Sequence, residues 1–177
     1  VRNSKSLYAS RPGYDTVASP CQWPSGIKFF GSKDITIHDT EIAFTRGEGL
    51  NFHNSERGQA FGNTLHDNGL NFYNDNSAKL VVHHNLIYNT PGIGSTYWRN
   101  CPAETGPVWA GDGMLIANEG ACDQGNAPVF DGCRTKCTAP TEYFSNVDSM
   151  FVYNNIFQNT GKAIGFWQGS TSIAGVN

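Results

Sequence analysis

Residues 49–68 read GLNFHNSERGQAFGNTLHDN, and residues 69–90 read GLNFYNDNSAKLVVHHNLIYNT. Both segments open on Gly-Leu-Asn-Phe. Both also hold a second pattern: Asn, any residue, an aliphatic or Phe, any residue, Asn or Asp, then Thr or Asn. This pattern begins at Asn63, Asn85 and Asn155, and in weaker form at Thr40. The gaps between successive starts are 23, 22 and 70 residues, the last close to three times the first. A fixed period of roughly 20–50 residues is the mark of a solenoid, in which each turn is too thin to bury its own apolar face and is stabilised by its neighbours.

Alternation gives the strands. In 34–38, Asp-Ile-Thr-Ile-His, it sends Ile35 and Ile37 inward and Thr36 and His38 outward. Segments 79–83 and 149–153 match it. A second stack takes Ile27, Leu50, Leu70, Ile93, Met114 and Ile164 as its first inward residues, with the two Gly-Leu-Asn-Phe copies in register. The sum is an all-β chain of about six turns with no sustained helical period. Asn63, Asn85 and Asn155 fall where strand gives way to turn. They are expected to form one interior column of amides, because buried polar groups need partners.

Composition narrows the class. Charged residues are 15% of the 177, and 18 Asn stand beside 20 Gly, a mixture that favours turns over helix interiors. A net charge of −3 leaves no basic footprint for nucleic acid. No apolar run reaches the ~20 residues of a membrane span. The chain reads as one domain, an excerpt beginning and ending mid-pattern. Cys101, Cys122, Cys133 and Cys137 cluster in the one irregular region. They are expected to bond 101 to 122 and 133 to 137, pinning an insertion at 119–149 and placing the protein outside the cytosol. Cys21 is left over.

The Gly-aliphatic-x-Phe strands, the Asn-x-Ile-x-Asn-Thr turns and the ~22-residue period resemble the right-handed parallel β-helix repeat of pectate-lyase-like secreted proteins. The resemblance covers residues 26–118 and 150–168. It implies three parallel sheets around a filled interior, with function on the outer face and its protruding loops, and it spans lyases, hydrolases, epimerases, binding modules and adhesins.

Candidate chemistry therefore sits on outward positions of the second strand stack. Asn51, His53, Asn71, Tyr73 and Trp167 make a column of amides and rings suited to stacking on sugars and meeting their hydroxyls, with Trp98 and Asn118 beside it. The alternative is an ordinary solvated sheet face with scattered aromatics, or aromatics covered by the insertion. Counting six residues past each opening Gly puts Asp75 and Glu119 in one column two turns apart, with Trp98 between. At ~4.8 Å per strand their backbones are roughly 10 Å apart, nearer the spacing of an inverting glycosidase pair than a retaining one. Glu48 and Glu56 flank that edge, a set of four carboxylates that also suits calcium. His53, with Tyr73 and Arg46, supplies candidate bases for a lyase. Zinc is disfavoured: Phe61 separates His38 from His83, and alternation sends His83 and His84 to opposite faces. Two readings stay open. One is a secreted polysaccharide lyase or inverting glycoside hydrolase. The other is a non-catalytic extracellular module that binds carbohydrate or stacks end to end.

Overall fold

The structure, a computed structural model, describes residues 1–9, 24–91, 111–117, 147 and 149–167. Its fourteen strands are β1 (Lys5–Leu7), β2 (Ser25–Phe30), β3 (Lys33–His38), β4 (Glu41–Ala43), β5 (Glu48–His53), β6 (Glu56–Phe61), β7 (Thr64–His66), β8 (Leu70–Asp75), β9 (Val81–His83), β10 (Leu86–Tyr88), β11 (Met114–Ala117), β12 (Phe151–Tyr153), β13 (Ile156–Gln158) and β14 (Ile164–Trp167). They form three parallel sheets, β1-β4-β7-β10-β13, β2-β5-β8-β11-β14 and β3-β6-β9-β12, here called the first, second and third. The chain visits second, third and first sheet in turn, as a right-handed β-solenoid does. No helix long and apolar enough to cross a membrane occurs among the described residues. All five cysteines, and with them the expected disulfides and the 119–149 insertion save Val147 and Ser149, lie outside those residues.

Among the described residues the solenoid has four complete triplets flanked by the single strands β1 and β14, between four and five turns where about six were expected. The difference arises in the second sheet. There β8 pairs directly with β11, Phe72 opposite Met114, so these strands are one turn apart rather than two.

The interior is apolar and continuous. Ile37 and Ile42 of one turn, Leu50, Phe52 and Leu65 of the next, and Phe72, Val82 and Ile87 of the third are buried in one cluster that extends to Met114. Deleting a large side chain from such a core costs about 2–5 kcal/mol. Corners need abrupt changes of direction, and left-handed residues provide them in columns: Asp34, Arg57, Lys79 and Ser149 in one, Asp39, Gly62, His84 and Asn154 in another. Asn, Asp and Gly tolerate that region best, which explains part of their abundance.

Amide ladders seal the corners. Asn63 donates from Nδ2 to Asn85 Oδ1 at 3.0 Å, and Asn85 Nδ2 donates to Asn155 Oδ1 at 2.9 Å. Each Asn also donates to a carbonyl of the preceding strand, Ile37, Ala60 and Val82 respectively. The expected interior column is therefore present. A second ladder, which the sequence reading missed, runs from Asn68 Nδ2 to Asn71 Oδ1 at 3.0 Å and from Asn71 Nδ2 to Asn89 Oδ1 at 3.0 Å. A third links Ser32, Ser55 and Ser77 through backbone N–H to hydroxyl bonds.

The two Gly-Leu-Asn-Phe copies are not in register. Leu50 stands opposite Phe72, and Glu48 opposite Leu70. The pairing distance from 50 to 72 equals the 22-residue step of the Asn ladder, whereas Gly49 and Gly69 are only 20 apart. Asn71 thus falls opposite Gly49, and there is no room for a side chain on both. A Cβ on Gly49 would lie 2.6 Å from Asn68 Nδ2 and from the Asn71 carbonyl oxygen.

Candidate functional site

The outer face of the second sheet carries two columns once the register is known. Lys28, Asn51, Tyr73, Leu115 and Gly165 form one. Phe30, His53, Asp75 and Ala117 form the other, and Trp167 pairs with Ala117 in the register. The column was expected to be solvated. Instead Asn51 is fully buried, and His53, Tyr73 and Asp75 are each 7% exposed or less. Alternation fixes the side to which a residue points but not what lies on that side. Tyr73 packs with Leu70, Leu115 and Ala117 in an apolar cluster separate from the interior. It is a packing residue here and not an exposed platform. Asn71 is no outward ligand either: it is a rung of the second amide ladder.

The two-residue shift decides the neighbours. His53 stands beside Asp75 and not beside Tyr73. Its Nδ1 is 2.9 Å from Asp75 Oδ2, with both side chains buried. This is a close approach and not an aligned hydrogen bond. Among the described residues, His53 Nδ1 and Asp75 Oδ1 have no hydrogen-bond partner. Such atoms are costly to bury, by roughly 1–3 kcal/mol each.

Glu48 opens β5 and lies along its outer face. Its Oε2 accepts from Ser25 Oγ at 2.6 Å and from Asn51 Nδ2 at 2.6 Å. Burial pushes its carboxyl above the ordinary range; those two hydrogen bonds and Lys28 oppose the push, and the charge on Asp75 adds to it. Asp112, unremarked in the sequence reading, belongs to the same face. It precedes Met114 by two residues and so falls opposite Leu70, two strands from Glu48 and roughly 10 Å away along the backbone. Its Oδ1 accepts from the Lys162 backbone at 2.8 Å, while Oδ2 has no partner among the described residues. Burial raises its carboxyl too, opposed by the Lys162 backbone bond and the Lys162 charge. The signal for Asp112 was its place between Gly111 and Gly113 at a strand start.

β8 and β11 are adjacent, one turn apart and not two, and Asp75 stands opposite Ala117. Trp98, Asn118 and Glu119 lie outside the described residues. Arg46 is buried between β4 and β5. The four-carboxylate edge is not assembled either. Glu48 is in the second sheet, whereas Glu56 is in the third and is engaged by Lys79 at 2.8 Å. Among the described residues no three His, Cys, Asp or Glu side chains converge as a metal site.

His38 and His83 do share a column with Phe61 between them, as expected. His83 and His84, expected on opposite faces, instead have their Nδ1 atoms 2.7 Å apart. His84 lies beyond the end of β9 with φ of 54°, so strand alternation does not apply to it.

No protein-family model, curated protein or solved structure matches the chain.

Proposed function

We propose that the protein is a secreted polysaccharide-active enzyme of the parallel β-helix kind, working as a glycoside hydrolase on the outer face of its second sheet. One observation carries this reading. Glu48, His53, Asp75 and Asp112 are each buried on that face, outside an interior that already supplies an apolar core. Buried carboxyls weaken a fold unless they are paired, and a purely structural sheet face has no use for four titratable groups.

The two kinds of carboxyl suit two roles. Glu48, its carboxyl raised by burial, would give a proton to the glycosidic oxygen as the bond to the anomeric carbon breaks. Asp75, backed by His53, is placed to take a proton from the water that attacks that carbon. Hydrolysis of a glycosidic bond with inversion uses one carboxyl as acid and a second as base in this way. Asn51 lies where it can hold a hydroxyl, its Oδ1 having no partner among the described residues.

A second reading rests on a different observation. The packing of Tyr73 against Leu70, Leu115 and Ala117 is what a covered, non-catalytic module would also show. Such a module would bind carbohydrate or assemble end to end. Incubation with a panel of neutral and acidic polysaccharides separates the readings. Reducing ends released without unsaturated products support the hydrolase, unsaturated products support a lyase, and binding without release supports the module.

A further inference from the structure

Along the edge of the third sheet, His38, Phe61, His83 and Tyr153 stack at ring-centroid separations of 4.9, 5.1 and 5.0 Å, within 9° of coplanar. After each ring the chain turns through a left-handed residue: Asp39, Gly62, His84 and Asn154. At the third rung this turn brings two consecutive imidazoles together, Nδ1 to Nδ1, at 2.7 Å with the rings 86° apart. His84 is exposed and His83 half-buried. Every other histidine has its Nδ1 within 2.9 Å of a carboxylate oxygen: His38 with Asp39, His53 with Asp75 and His66 with Asp67. At His83 and His84 a ring nitrogen instead faces another ring nitrogen.

We propose that His83 and His84 together bind a divalent transition-metal ion, with Cu2+ the best fit. Two neutral imidazoles are good ligands for Cu2+, Ni2+ and Zn2+, and the separation of their nitrogens chooses among them. Bonds of ~2.0–2.1 Å to two nitrogens 2.7 Å apart subtend roughly 80–85° at the metal. That is a cis angle in a square-planar or tetragonal site. A tetrahedral zinc site would need the nitrogens about 3.3 Å apart for the same bond lengths. Among the described residues no third His, Cys, Asp or Glu joins the pair, so water fills the remaining positions. Cu2+ lies highest in the affinity order for such donors and best tolerates two protein ligands. The stack fixes His83 between Phe61 and Tyr153.

The test is calorimetric titration of the chain with copper sulfate and zinc sulfate, with an electron paramagnetic resonance spectrum of the Cu2+ form. The expected result is one equivalent of Cu2+, nitrogen couplings from two imidazoles, and Zn2+ at least tenfold weaker. His83→Phe keeps a ring in the stack, and His84→Asn keeps a residue at ease in the left-handed turn, as Asn154 is one rung on. Each is expected to weaken Cu2+ at least tenfold with the melting temperature retained, whereas His38→Phe leaves it unchanged. Undiminished Cu2+ binding in both variants, zinc binding as tightly as copper, or no Cu2+ bound by the parent chain would each overturn the assignment.

Discussion

Asp75 faces His53 across the β5–β8 pair, its Oδ2 2.9 Å from the imidazole Nδ1, on a sheet face where neither is exposed. Their meeting follows from the 22-residue step that the amide ladder imposes on the turns. Had the Gly-Leu-Asn-Phe copies been aligned, His53 would stand beside Tyr73 and Asp75 would be displaced from it. The ladder thus fixes which side chains share the outer face, and its strength is the first quantity to test.

Asn85 accepts from the backbone and side chain of Asn63 and donates to Ala60 O and Asn155 Oδ1. Asn85→Ala strands these partners in a buried place, and the expected loss is about 2–4 kcal/mol. Urea unfolding followed by circular dichroism measures it. A loss under about 0.5 kcal/mol would mean that the ladder is not a principal support.

The packed outer face makes a prediction opposite to that for an exposed sugar platform. Tyr73→Ala should destabilise the protein by about 2–4 kcal/mol, since it empties the cluster with Leu70, Leu115 and Ala117. Tyr73→Phe should cost much less. Thermal melts of the two variants decide the point, and an unchanged midpoint for the alanine variant would contradict the packing role.

Glu48 gives stability a pH dependence whose sign is fixed. Its folded carboxyl is raised above the ordinary value of 4.5, so the folded state holds the proton longer than the unfolded chain does. Stability is then greatest below that ordinary value. It falls as pH rises through the folded value and levels off above it. Asp112 contributes in the same direction. Glu48→Gln keeps an oxygen to accept from Ser25 and Asn51 but carries no titrating proton. The variant's stability should therefore gain on the parent's as pH rises. Parallel curves for the two proteins would rule out a raised Glu48.

The repeat was legible because it is written in residue types with few substitutes. Asn at 63, 85 and 155 is a donor and acceptor of one length, and the ladder needs both functions at each rung. The Gly-Leu-Asn-Phe pair misled because two similar strings can occupy a sheet two residues out of step without changing which face is apolar. Period-two alternation is blind to that shift. For the same reason Asn71 read as a surface ligand, although a place opposite Gly49 draws it into the second ladder. Burial of the outer face had no local signal. Asn51, His53 and Asp75 are polar, and sequence pattern assigns polar residues to solvent. His84 escaped because a left-handed turn abolishes the alternation used to place it.

The most direct test of the acid and base assignment compares Glu48→Gln and Asp75→Asn with the parent on the polysaccharide that the parent cleaves fastest. Release of reducing ends is the readout, and circular dichroism confirms the fold. Loss of a proton donor or acceptor should lower turnover by about 10²–10⁴-fold in each variant. Parent-like turnover in both variants, or no release by the parent from any polysaccharide, would contradict the account.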